Sequence, residues 1–129
     1  MHILPAALMS LTVAALVVPS VAEAQRRWRT VGYMTVSRGS DRDTIRLRGN
    51  ARDRQIRVCA INRAINFTRL SVRFENGGRQ ELPVRRVLNA GTCTPAQDLR
   101  GQRRNIAAVD MTYSRFARGT LPLIRVQAR

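Results

Sequence analysis

Two pairs of carboxylates stand close together in this chain, Asp41 with Asp43 and Glu75 with Glu81. Paired carboxyls are the machinery of glycoside hydrolysis, one acting as acid and the other as base or nucleophile. Neither pair reads that way. Asp41-Arg42-Asp43 has the polarity of a turn leading into a strand. Glu75 and Glu81 flank a glycine turn among arginines, and an arginine neighbour favours the ionised carboxylate over a general acid. Other chemistries lack their parts. The single histidine is His2, in an apolar leader, so Ser-His-Asp and Cys-His arrangements are missing from the rest of the chain. The usual imidazole metal ligands are missing with them. There is no lysine for a Schiff base or a Ser-Lys dyad. "GNARDR" and "RGQRR" lack the strand–loop–helix context of a phosphate loop. The sequence predicts a non-catalytic protein with no cofactor and no metal.

The leader itself carries information. Ile3 to Val21 has no charged residue, and Ala22-Glu23-Ala24 gives the small-x-small pattern of a signal peptidase site. Residues 1–24 therefore read as a signal peptide cut at the Ala22/Ala24 motif, leaving residues 25–129 as one domain. An uncleaved anchor is the competing reading, since the apolar run is just long enough to span a bilayer. Pro5 and Pro19 favour cleavage. Export, most simply to the periplasm, makes Cys59 and Cys93 a candidate disulfide. No C-x-x-C or similar spacing suggests a metal or redox role for them.

Arginine dominates what remains. All 23 basic residues are arginine, against eight carboxylates, of which Glu23 would leave with the leader. Such a charge attracts anions at long range and disfavours self-association, so a monomer is expected. Candidate anion-binding residues are Arg46, Arg48 and Arg57 on a shared sheet face, Arg85 and Arg86 after a hairpin, and Arg100, Arg103 and Arg104 in "LRGQRRN". Arginine forks bind phosphate and carboxylate in a bidentate way. Nucleic acid is disfavoured by export and by the shortage of aromatics for base stacking. Lipid headgroups, lipopolysaccharide and acidic glycans are the nearer anions.

The elements that must position these residues show a period of two. In "DTIRLRGN", Ile45 and Leu47 alternate with Thr44, Arg46 and Arg48, with Gly49 and Asn50 turning the chain. In "RQIRVCAIN", Ile56, Val58 and Ala60 alternate with Arg57 and Cys59. Both are half-buried strands with arginine outside. "TRLSVRFENGGRQELPVRR" is a hairpin with a three-residue loop. The expected register sets Phe74 opposite Gln80, Val72 opposite Leu82 and Leu70 opposite Val84. It pairs Glu75 with Arg79 and Arg73 with Glu81, and puts Gly78 in the left-handed position. Pro83 cannot donate to a ladder and predicts an edge. A loop follows Leu88, and further strands lie in "NIAAVDMTYSRF", "TLPLIRVQAR" and Trp28–Ser37. About seven short strands without a helix predict an all-β, single antiparallel sandwich.

"NGGRQELPV", "DLRGQRRNI" and the closing strand "LIRV" resemble a family of small exported bacterial β-sandwich proteins of unknown function, over roughly Arg54 to Val126. The resemblance implies a secreted sandwich and carries over no catalytic residues. The reading that follows is an exported binding or structural module whose arginine-rich face meets an anionic envelope partner. The alternative is an envelope protein–protein adaptor that uses the edge near Pro83 and the loop after Leu88, its charge setting only solubility. A carboxylate-based hydrolase is the remaining alternative.

Overall fold

Two-residue alternation produces ten strands and no helix among the described residues of the computed structural model, which are 12, 14, 27–48, 52–101 and 103–129. Apart from residues 12 and 14, the expected signal segment, with its Ala22 and Ala24 positions, and the Gly49-Asn50 turn lie outside those residues. The strands are β1 Arg29–Thr35, β2 Arg42–Arg46, β3 Gln55–Ala60, β4 Ile65–Phe74, β5 Arg79–Leu82, β6 Arg86–Leu88, β7 Thr92–Cys93, β8 Gln97–Asp98, β9 Ile106–Tyr113 and β10 Leu123–Ala128. They form two antiparallel sheets. The first runs β1-β10-β3-β7, with β8 also on β3; the second runs β2-β9-β4-β5, with β6 also on β4. The sheets pack face to face over one apolar core that includes Ile45, Val58, Phe67, Val72, Val109 and Val126. Stacking two half-buried faces is how such strands remove their apolar sides from water.

The expected sandwich is present, with three differences. First, β2 and β3 belong to different sheets. Arg46 and Arg57 therefore do not share a face. Each strand alternates as read, but alternation does not reveal which sheet a strand joins. Second, β6, β7 and β8 were not expected. At two or three residues they are too short to show a period, and they form by pairing with the flanks of β4 and β3. Third, the hairpin register is shifted. Leu70 pairs with Leu82, Val72 with Gln80, and Arg73 with Arg79. The loop has three residues, but they are Glu75-Asn76-Gly77. Phe74 N–H donates to Gly78 O and Gly77 N–H to Phe74 O. Gly77 takes the positive φ, 90°, so it and not Gly78 supplies the left-handed residue. The expected Glu75–Arg79 and Arg73–Glu81 pairs do not face each other.

Buried Gln80 repays that shift. It donates to Asp98 O at 2.8 Å and accepts from Arg100 N at 2.8 Å, which ties the loop after β8 to the hairpin. Pro83 follows β5, the end strand of its sheet, as expected. Cys59 and Cys93 are directly opposed across β3 and β7 and joined by a disulfide. At the opposite side of the sandwich, Arg48 N donates to Val31 O and brings β1 against β2. Gly32 makes this approach possible. A Cβ there would stand 2.7 Å from Leu47 Cδ2 and 3.1 Å from Ile45 Cγ2.

Gly32→Val is expected to destabilise the fold by about 1–3 kcal/mol through overpacking at this seam, read as a lower denaturation midpoint. Reducing the Cys59–Cys93 bridge, which spans 34 residues, should cost about 3–4 kcal/mol by the same measurement.

Candidate anion-binding site

The outer face of the second sheet is where the arginines converge. Registers place Arg46, Ala108, Arg73 and Arg79 in one row across β2, β9, β4 and β5. The next row is Thr44, Asp110, Ser71 and Glu81. A third holds Arg42, Thr112 and Arg69. Same-face neighbours along a strand are about 6.8 Å apart. Two arginine rows therefore flank a row of hydroxyls and carboxylates. Five arginines stand against two carboxylates, and most of these residues line a groove of about 510 Å³.

Asp110 organises this face. Arg73 and Arg79 are directly opposite, and like charges so placed repel. Asp110 takes both. Arg73 donates from Nε at 2.9 Å and from its Nη2 at 3.1 Å, and Arg79 donates at 3.3 Å. Thr44 donates to the same carboxylate at 2.6 Å. Burial pushes the Asp110 carboxyl up, but the hydrogen bonds of Thr44 and Arg73 and the charges of Arg73 and Arg79 outweigh it. The net direction is down. Arg79 also donates to Ser71 Oγ at 3.1 Å, and Ser71 is buried beneath the guanidinium groups. Arg69 grips Glu81 with two bonds of 2.9 and 2.7 Å, and this fork holds Glu81 below its ordinary range. Arg42 is exposed at the β2 side of the groove, and Arg46 is exposed beyond its lining.

The remaining carboxylates have other work. Asp43 accepts from Ser37 N and Oγ, both at 2.8 Å, and from the Tyr113 hydroxyl. Burial and then Asp43 push the Tyr113 hydroxyl far up. Asp41 lies 3.5 Å from Arg42 and 4.0 Å from Arg115. Glu75 sits in the hairpin turn. Asp53 is buried and pairs with Arg29; burial raises its carboxyl more than Arg29 lowers it.

The candidate arginines scatter. Arg46 is on the face just described. Arg48 lies past β2 at the seam, and Arg57 is on the other sheet beneath Trp28. Arg85, just before β6, and Arg86, its first residue, are exposed. Arg100, Arg103 and Arg104 share a loop but differ in setting. Arg104 is turned onto the hairpin, with its guanidinium carbon 3.9 Å from the Phe74 ring centre and bonds to Asn76 Oδ1 and Arg100 O. Arg100 and Arg103 are exposed. Arg42, Arg69, Arg73, Arg79 and Asp110 were missed. For Arg69, Arg73 and Asp110 the signal was present in the wet positions of "TRLSVRF" and "VDM". Recognising it required knowing that β9 lies between β2 and β4.

Known proteins now bear on this geometry. The chain belongs to the family described as Domain of unknown function (DUF2541), whose profile matches residues 7–124. No curated protein matches it. Among solved structures it is similar to that described in "Structural and functional characterization of Pseudomonas aeruginosa AlgX", at 12% identity and a TM-score of 0.50. The match covers 78% of this chain and 26% of that one, so this chain spans about a quarter of the AlgX chain. That likeness concerns the fold.

Asp110→Asn should destabilise the protein at pH 7 by about 2 kcal/mol, because Arg73 and Arg79 would then oppose each other without a counter-charge. The depressed carboxyl stabilises above its unfolded value, about 3.9, and loses that contribution as pH falls through the folded value. The gap between parent and variant should close below about pH 4 in denaturant titrations.

Proposed function

We propose that this DUF2541 family member is an exported, non-catalytic envelope module that binds an anionic partner across the outer face of its second sheet. The observation that carries this reading is the two-row array: Arg46, Arg73 and Arg79 on one side, Arg42 and Arg69 on the other, with Asp110 and Glu81 between them. Asp110 and Glu81 fix the arginines without neutralising all of them. Arginines fixed this way lose less side-chain freedom when they bind. Two rows about 14 Å apart suit a surface or polymer bearing repeated anionic groups, such as lipid headgroups, lipopolysaccharide or an acidic glycan. The disulfide fits an oxidising compartment such as the periplasm. Asp110 and Glu81, the carboxylates between the arginine rows, are held ionised by arginines and are poor general acids.

A second reading is favoured by one feature. Val87 on β6 is 58% exposed and lines a groove with Ile65 and Phe116. An envelope protein could dock on this edge, the charge then serving solubility alone.

Vesicle co-sedimentation across a salt series separates the two. Binding to anionic but not neutral vesicles, with or without lipopolysaccharide, and release by roughly 0.5 M salt are expected. Arg42→Gln combined with Arg46→Gln and Arg79→Gln should reduce that binding and its salt dependence. No binding at low salt, or binding indifferent to those three changes, would remove the electrostatic reading.

A further inference from the structure

The arginine face of the second sheet does not stop at β2. β1 and β2 are end strands of their sheets and meet at one side of the sandwich. A further groove of about 650 Å³ lies there and takes its lining from both strands. Arg46 and Arg48 come from the β2 side, and Tyr33 from β1. Among the described residues, no carboxylate lines it. Thr44 lines this groove and the one on the outer face alike, so the two adjoin. Together they make a track. It starts at Arg69 and Arg79, crosses β9 and turns the corner of the sandwich to Tyr33.

Two features of the track select its occupant. The first is its path. A plane of headgroups can meet the outer face or the side of a sandwich, but not both at once. A chain can bend round the corner. The second is Tyr33, which is 62% exposed. A single apolar side chain in water is ordinary, but this ring stands in a groove with two guanidinium groups. An aromatic ring offers an apolar face to the C–H face of a pyranose, and arginines beside it can fork onto the acid group of the same or the next sugar. Hydroxyls line the rest of the path. Thr44 gives its proton to Asp110, which leaves the lone pairs of its oxygen to accept. Thr112 stands nearby in the same groove. Sugar hydroxyls both donate and accept and suit these partners. Phosphodiesters only accept.

Building on the anionic partner proposed above, we infer that the two grooves form one continuous site for an acidic polysaccharide, a chain of pyranose rings bearing carboxylates. Tyr33 is the platform for one ring, and Arg46 and Arg48 clamp the carboxylate beside it. The arginines of the outer face take the acid groups further along the chain.

The disulfide-intact protein is titrated calorimetrically with polygalacturonate and its oligomers, with polyglutamate, with polythymidylate and with dextran. The salt is held at about 0.15 M, where exposed charges more than about 8 Å apart are largely screened. Polygalacturonate is expected to bind more tightly than polyglutamate or polythymidylate, and dextran not at all. Affinity should rise from the disaccharide to longer oligomers as the track fills. Tyr33→Ala should weaken polygalacturonate binding by about threefold to tenfold without changing the charge, and Tyr33→Phe should keep the parent affinity. Arg48→Gln should weaken it by about tenfold. Arg118→Gln, which removes the same charge from an exposed loop elsewhere, should leave it unchanged. Polyglutamate or polythymidylate bound as tightly as polygalacturonate overturns the inference. So does a Tyr33→Ala protein that binds like the parent, or an affinity that ignores oligomer length. Anionic vesicles at low salt tell two failures apart. Vesicles bound and polygalacturonate not bound overturns the polysaccharide alone. Neither bound at low salt removes the electrostatic reading with it.

Discussion

A chain with 23 arginines and eight carboxylates must fold against its own repulsion. Ion pairs cannot solve this, because there are too few acids. Much of the answer lies in carbonyl oxygens and aromatic rings. Arg63 donates to Arg118 O and Thr120 O and lies over Phe116. Arg38 holds Ala117 O and Gly119 O from another side. Arg104 spans Arg100 O and Asn76 and covers Phe74. A guanidinium can do this because its plane stacks while its five donors bond along the edge. Lysine, a point charge, would grip these loops poorly. Several loops of this protein are thus held by the residues that make it hard to fold.

Seen this way, the two outer faces are two responses to one difficulty. The second sheet places a carboxylate where two arginines meet, and the result is a rigid array with charge to spare. The first sheet places glutamines and a tryptophan there. Amide oxygens there take the Nε donors of Arg57 and Arg129, and the Trp28 ring covers both guanidinium groups. One face is internally compensated and broad. The other is local and held by amides and one aromatic ring. A protein built on the same sandwich could carry either without the other, because the core between the faces is apolar and takes no part in either arrangement.

The sandwich was legible because period-two alternation survives in Ile45-Arg46-Leu47, in Ile56-Arg57-Val58 and in Leu70 through Phe74. Cys59 and Cys93 were legible as a pair from their number and the expected compartment. Strand neighbours were not. Nothing local in "DTIRL" says that β9 will lie beside it, so the partnership of Thr44 with Asp110 was hidden. The hairpin register failed for a narrower reason. Gly77 and Gly78 can both adopt positive φ, and opposite charges at Arg73 and Glu81 made the wrong choice look favourable. The observed register instead sets Arg73 against Arg79, a local cost that Asp110, 31 residues from Arg79, removes. Of the cluster expected at Arg100, Arg103 and Arg104, Arg104 lies over the Phe74 ring, in a hairpin far away in sequence.

The disulfide guards more than chain entropy. Among the described residues, the outer edge of β3 is covered by β7 and β8, two residues each, both carried on the segment that Cys93 anchors. A strand edge left open is a template for another chain. While the bridge is intact, that edge is closed. Once it is cut, Gln55–Ala60 can offer its backbone to a second molecule, and the like charge on the two molecules becomes the main force keeping them apart. Salt weakens that force. Redox state and ionic strength would then act together to decide whether this protein stays dispersed or assembles edge to edge.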